Sequence, residues 1–217
     1  MALKTAPTSI GFEQITLTAM NAVATSESPF TYKQQIVQHT GQAWKASVTI
    51  PPVRRDLGEP WVAFLLSLQG PVNTFLLGDP NCTEPRGTAT DGTITANGVA
   101  GASTISLTNT TAPDLTLKVG DYIQLGLAST ARLHKVLQDV TLTGNGDGDP
   151  ANNVEITGID IWPNLKPFST ATPNWVNQAV VVEGAKGVFR LKNNVQDWQI
   201  GNSNSYGISF EAVEVIV

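Results

Sequence analysis

The sequence predicts a mainly β chain: a split β-sandwich with one α-helix and an inserted small antiparallel β-barrel. Three features lead to this fold class. Polar and apolar residues alternate along most of the chain, as in strands with one buried face. Turn residues separate these stretches at short intervals, which is typical of sandwiches and barrels. A single segment, 57–69, instead has the period of an amphipathic helix.

The composition is that of a folded chain with few charges. The 217 residues are 41% hydrophobic and 14% charged, with a formal net charge of −5. So large an apolar fraction excludes a disordered chain. The acidic balance argues against a general nucleic-acid binder, which needs basic residues to displace counterions from phosphate. The low charge density indicates that much of the surface faces other protein.

The N-terminal third predicts three strands. Residues 14–18 alternate, and so do residues 34–38 and 43–50. The segment from His39 to Gln42 has turn residues, so the second and third strands are expected to form a hairpin. Pro51-Pro52 is expected to end it, since neither proline can donate to a ladder. One face of the third strand should be buried, namely Trp44, Ala46, Val48 and Ile50.

The helix follows directly. Pro60 fits only the first turn of a helix, so the helix should start near Gly58 or Glu59, and Gly70-Pro71 should end it. Its apolar stripe must pack on a sheet. The stripe comprises Leu57, Trp61, Phe64, Leu65 and Leu68.

Short strands fill the rest of the chain. Thr74–Leu77 reads as a buried strand, and after Glu84–Gly87 the sequence becomes rich in Gly, Thr, Asn and Ala, which indicates a small β domain. A polar connection is expected over 164–177, after Pro163. Further strands are expected within 115–126, 131–142 and 154–161, and at 179–182, 187–191 and 206–217, with Trp198 on a short piece between the last two.

Catalytic and metal-binding patterns are weak, so neither an enzyme nor a cofactor is expected. The two histidines are His39, expected to be solvated in the hairpin turn, and His134, expected on a sheet surface. Neither belongs to a recognisable triad or zinc motif. The lone Cys82 excludes an internal disulfide and is expected to be an inert thiol.

A partial calcium-loop pattern occurs at Asn145-x-Asp147-x-Asp149. Such a loop needs glycine at its sixth position and a bidentate glutamate at its twelfth. Pro150 and Ile156 occupy these positions, so the segment is expected to be a hairpin turn.

Four residues are candidates for contacts with other molecules. Arg54 and Arg55 precede the helix, where positive charge opposes the helix dipole and brings no local benefit. They fit a solvated loop, an intersubunit ion pair or a charge facing a lumen. Trp162 and Trp175 border or lie in the long connection. They fit a platform for sugars or a neighbouring subunit, or a satellite core under the loop.

The two ends of the chain carry a distinctive order of motifs. Trp44 and Pro51-Pro52 lead through Arg54-Arg55 to Trp61-Val62-Ala63-Phe64-Leu65, and then to Phe75-Leu76-Leu77-Gly78-Asp79-Pro80. The C-terminal part has Gly187-Val188-Phe189-Arg190-Leu191, then Trp198, then Tyr206-Gly207-Ile208-Ser209-Phe210. These stretches resemble the distal tail protein and the lambda-type minor tail protein M of long, non-contractile-tailed phages. The middle, with 119–126 and 159–163, looks like the small β-barrel inserts common in phage tail proteins.

The resemblance implies a ring, expected to be a homohexamer, that caps the tail tube of a virion. One side would contact the tube protein and the other the hub and fibre proteins, and DNA would leave through the lumen without specific binding. The ring-forming belt domain would be residues 1–85 with 185–217, and the barrel insert 86–184. The acidic balance suits such a lumen, since negative walls repel DNA.

Three alternatives stay open: a host-receptor or carbohydrate-binding module that uses Trp162 and Trp175, an enzyme such as a cell-wall hydrolase, and a head-side adaptor ring. The N-terminus lacks the charged and apolar regions of a signal peptide. No apolar run approaches the ~18 residues that span a bilayer. Synthesis in a host cytoplasm and no membrane insertion are therefore expected.

Overall fold

The computed structural model describes residues 1–146, 149, 152–169, 172–201 and 204–215. Within them the chain is mainly β, with one α-helix, α1, at Arg55–Leu68. The predicted fold class is confirmed, because both chain ends build one sheet and the middle closes an antiparallel barrel. The strands are β1 Leu3–Lys4, β2 Gln14–Glu27, β3 Gln34–Arg54, β4 Thr74–Leu77, β5 Ile94–Gly98, β6 Thr104–Asn109, β7 Leu115–Leu117, β8 Tyr122–Leu125, β9 Arg132–Val136, β10 Val140–Leu142, β11 Glu155–Trp162, β12 Trp175–Val181, β13 Gly187–Leu191, β14 Trp198–Ile200 and β15 Ser205–Glu214.

Two C-terminal strands lie side by side in the sheet, between strands from the N-terminal part of the chain. Its order in the described residues is β1-β4-β13-β15-β3-β2, and β14 pairs with β15. All neighbours are antiparallel except β1, which runs parallel to β4. The sheet depends on both chain ends, because β4 pairs with β13 and β3 pairs with β15.

The barrel follows the order β11-β6-β5-β12-β8-β9, and β7 pairs separately with β10. Its interior is apolar, with Ile94, Leu107, Ile123, Leu125 and Ile159 among the buried residues. The strand β12 begins at Trp175, inside the predicted connection, and ends one residue before its predicted end.

The helix packs its apolar stripe into the core of the sheet. Four of the five predicted stripe residues are buried, and so are the four predicted residues of β3 from Trp44 to Ile50. The exception is Leu57, which is exposed, while Gly58 packs against Tyr206. The predicted helix start was also wrong, since α1 begins at Arg55. Pro60 is exposed as the sixth residue of the helix, where it removes one backbone hydrogen bond, and the fold tolerates that loss.

The hairpin prediction was wrong, because β3 continues from Gln34 to Arg54 and pairs with β2. His39 is exposed, but it lies within a strand and not in a turn. The register shifts between the pairs Asn21↔Gln42 and Val23↔Gln38, so the turn-like residues form a bulge. Pro51-Pro52 also lies within β3, opposite a second register shift in β15, where a missing donor costs little.

Candidate functional site: an exposed arm

The hairpin of β2 and β3 projects from the sheet as an arm, defined here as residues 18–41. Every residue of the arm is exposed except Ser28, which is half-buried. The strands cover about 30 Å at the usual rise of a strand. At the tip, the amide of Ser28 donates to the carbonyl of Lys33 at 3.0 Å, and Gln34 Nε2 donates to Glu27 Oε2 at 2.8 Å.

Both edges of the arm lack a strand partner within the described residues. One edge is β2, the last strand in the sheet order. The other is the first part of β3, because β15 pairs with β3 only from Lys45 onward. A two-stranded ribbon is marginally stable alone in water, and free edges pair readily with another chain.

The side chains of the arm are unusually apolar for an exposed ribbon. Ala24 pairs with Val37 on one face, and Thr25 pairs with Ile36 on the other, so both faces present apolar groups. At the tip Phe30 is 91% exposed and Tyr32 is 76% exposed. The charges that protect natural strand edges are sparse, since Glu27 and Lys33 are the arm's acidic and basic residues. The arm is therefore suited to contact with other protein.

Trp162, a predicted interface residue, lies at the root of the arm. Its Nε1 donates to Asn21 Oδ1 at 2.9 Å, and its ring meets that of Trp44 edge to face, with centroids 4.4 Å apart. The ring is half-buried. Its polar and apolar contacts are thus made within the chain, between the barrel and the sheet.

Trp175 is a core residue, so its prediction as an interface residue is corrected. It is 1% exposed, and Phe168 lies against it with ring centroids 5.0 Å apart. Its Nε1 donates to the carbonyl of Lys166 at 2.7 Å. The satellite-core alternative explains this position, because β12 begins here and turns the indole into the barrel. A buried ring cannot stack on a sugar.

Arg54 and Arg55 are exposed where β3 passes into α1. Arg55 Nε lies 3.2 Å from Glu59 Oε1, one helical turn on. This pair offsets part of the unfavourable position of positive charge at a helix start. No described hydrogen bond or ring contact joins the arginines to Trp162 or Trp175, so the predicted interface residues do not form one site.

A buried cluster of charged groups occurs where the barrel meets the sheet. Arg132 and His134 come from β9, Glu214 comes from β15, and Lys166 comes from the connection after β11. All four are buried. Burial lowers the pKa of Arg132 and of Lys166, lowers that of His134 to about 4 and raises that of Glu214 to about 6. At neutral pH the histidine is therefore uncharged and the carboxylate is ionised.

The surface position predicted for His134 was wrong, since it is 0% exposed. The reason is that β9 is covered on both faces. Val136, on the same face as His134, packs in the barrel core, and Leu133 packs in the core of the sheet. His134 Nδ1 lies 2.7 Å from the carbonyl oxygen of Pro163. Sequence alternation alone does not reveal a strand with two buried faces.

The remaining candidate sites add no chemistry. Asp147 and Pro150 of the partial calcium loop lie outside the described residues. Elsewhere no three His, Cys, Asp or Glu residues are grouped to hold a metal ion in the part of the chain that the structure describes. Burial raises the pKa of Cys82, and so does the hydrogen bond that its thiol donates to Asp79 at 3.4 Å. Both effects favour the protonated thiol. Within the same ranges no helix has the length and apolar character to cross a membrane.

No protein-family model matches this chain, and no curated protein matches it. The geometry of the arm and the resemblance of the chain ends are therefore the basis for inferring a function.

Proposed function

We propose that this chain is a structural subunit of a phage tail tip, which forms a ring, expected to be a homohexamer, between the tail tube and the hub and fibre proteins. The exposed arm carries the proposal. It combines free strand edges with apolar faces, and a neighbouring copy of the chain can cover both. The motif order of the two chain ends supports a tail-tip subunit in particular.

The two borders of the sheet favour a head-to-tail contact. One border ends in the arm, while the other ends in β1, which covers only Thr74 and Phe75 of β4. Different surfaces on the two sides of a subunit make a heterologous interface, and such an interface closes into a ring when the rotation between copies allows it.

The charge supports a passage for DNA. The formal charge of −5 disfavours retention of a polyanion, so DNA would pass through the lumen without specific binding. The protein would be made in the host cytoplasm and reside in the virion. The proposal gives the chain no catalytic role and no cofactor.

Imaging tests the proposal at two levels. Mass photometry and negative-stain microscopy of the purified protein should show rings of one defined copy number. Gold-labelled antibodies against the chain should mark the distal end of the phage tail. Label at the head-to-tail junction would instead support the adaptor alternative, and label that is absent from virions would contradict a structural role in the particle.

A further inference from the structure

The arm has a hinge close to its root. Between the pairs Asn21↔Gln42 and Val23↔Gln38, the three residues 39–41 of β3 face the single residue Ala22 of β2. Such a bulge interrupts the ladder and bends a ribbon. Gly41 permits close packing here, because a Cβ at this position would lie 3.1 Å from the Cβ of Ala22. The distal arm, residues 23–38, is joined to the body through this bulge.

The connection between β11 and β12 holds both strands on the body side of the hinge. Trp162 Nε1 donates to Asn21 Oδ1 at 2.9 Å, and the backbone N–H of Asn164 donates to Gln42 Oε1 at 2.7 Å. The ammonium of Lys166 donates to the backbone carbonyl of Gln42. Asn21 and Gln42 pair with each other across the ribbon, so these contacts fix its base.

The buried charges lie directly behind this connection. Glu214 Oε2 accepts the backbone N–H of Trp44 at 3.0 Å, two residues from the carbonyl that holds Lys166. Lys166 and Arg132 both act electrostatically on Glu214 and on His134. Within the described residues, three buried polar atoms of the cluster have no hydrogen-bond partner. They are Arg132 Nε, His134 Nε2 and Glu214 Oε1.

We propose that residues 162–166 form a clamp that sets the direction of the arm, and that protonation of His134 opens this clamp. At neutral pH, Lys166 from the connection and Arg132 from β9 face one carboxylate, that of Glu214 from β15. A proton on Glu214 removes the counter-charge, and a proton on His134 then adds a third cation. Charges of like sign in a buried space repel strongly, so Lys166 leaves the carbonyl of Gln42 and the distal arm moves about the bulge.

The pH range follows from the environment of the two groups. Burial raises the pKa of Glu214 to about 6 and lowers that of His134 to about 4. Acidification through this interval therefore takes the cluster from one carboxylate and two cations to three cations. The inference concerns the direction of the arm within one subunit, and it stands apart from the proposed ring.

Spin-label distance measurements test the clamp. Labels at Gln35 on the arm and Thr141 on the barrel, in a Cys82→Ser background, report the direction of the arm. Dilution with unlabelled protein restricts the readout to distances within one chain. We expect a narrow distance distribution at neutral pH that broadens at about pH 4, near the pKa of His134.

Two variants test the clamp and its trigger. Lys166→Met removes the contact with the carbonyl of Gln42, so it should broaden the distribution at neutral pH. His134→Gln removes the group that becomes the third cation, so it should keep the distribution narrow at pH 4, with the circular dichroism of both variants unchanged from the wild type. Lys118→Met is the matched control, because Lys118 Nζ lies 3.3 Å from Asp139 Oδ2 on the barrel, and no described contact joins it to residues 162–166. It should keep the narrow distribution. A distribution that stays narrow in Lys166→Met at neutral pH or in the wild type at pH 4 while the fold persists, or one that broadens in His134→Gln at pH 4, would overturn the proposal.

Discussion

Replacing Trp175 with alanine should destabilise the fold and not a binding surface. The indole is 1% exposed, packs on Phe168, and donates to the carbonyl of Lys166. Removing a buried indole costs about 3–5 kcal/mol, and the loss of the hydrogen bond adds about 1 kcal/mol. For a chain of this size, a loss of about 5 kcal/mol corresponds to a fall in Tm of roughly 10–20 °C.

Thermal unfolding followed by circular dichroism measures this effect. Trp175→Phe keeps most of the packing and leaves the carbonyl of Lys166 without its donor, so its loss should be smaller, about 1–3 kcal/mol. Val176→Ala is the matched control, since the neighbouring Val176 is exposed and should leave Tm nearly unchanged. If Trp175→Ala lowered Tm no more than this control and abolished binding to host polysaccharide, the indole of Trp175 would belong to a binding surface and its assignment to the core would be wrong.

Four further predictions concern stability. Between pH 6.5 and about 4, His134 binds a proton in the unfolded chain but stays mostly neutral in the folded one, so acid lowers the free energy of unfolding of the wild type. His134→Gln lacks this group, so over the same range its free energy of unfolding, measured in urea, should fall by about 3 kcal/mol less than that of the wild type. The raised pKa of Glu214 acts in the opposite direction, because the protonated carboxyl stabilises the fold at low pH and this stabilisation is lost as pH rises through about 6. Glu214→Gln stays neutral, so at pH 7 its free energy of unfolding should exceed that of the wild type by about 2 kcal/mol at most. Gly58→Ala should destabilise by about 1–3 kcal/mol although alanine favours helices, because its Cβ would lie 2.8 Å from that of Tyr206; a gain in urea unfolding would show that α1 can move away from β15. Glu211→Gln should leave the urea midpoint nearly unchanged despite two lysine partners, since Glu211 and Lys45 are only half-buried and Lys192 is exposed, so solvent screens both pairs; a strong salt dependence would contradict this.

Features that depend on one buried face could be predicted from the sequence. The alternation from Trp44 to Ile50 and the stripe from Trp61 to Leu68 both point into the core. Side-chain direction repeats every 2 residues in a strand and about every 3.6 in a helix, so local sequence is sufficient. Leu57 departs from the stripe because, in the first turn of α1, Gly58 and not Leu57 faces Tyr206 of β15.

Features that depend on a second packing partner could not be predicted. His134 lies on a strand that the barrel buries on one face and the sheet on the other. Trp175 lies in a polar stretch of sequence, yet β12 begins at this residue and places it in the barrel. Both outcomes depend on how the barrel closes, which local periodicity does not specify.

The arm was also hidden from sequence reasoning. The turn residues at 39–42 are real local signals, but pairing along the whole of β2 outweighs them and converts them into a bulge. The point at which the arm leaves the sheet is set by β15, which begins to cover β3 at Lys45. That partner comes from the other end of the chain, so no nearby residue marks the boundary.

Substituting lysine on both faces of the arm gives the most direct test of the arm's role in assembly. In the double variant Ile36→Lys/Val37→Lys, charge replaces apolar contact on each face, so rings seen by mass photometry should dissociate into single subunits. Both residues are exposed, so Tm should stay close to that of the wild type. Val99→Lys/Val176→Lys places the same charges on exposed barrel positions and should leave the rings intact. Rings that persist in the arm variant, or that are lost equally in the barrel variant, would contradict assembly through the arm.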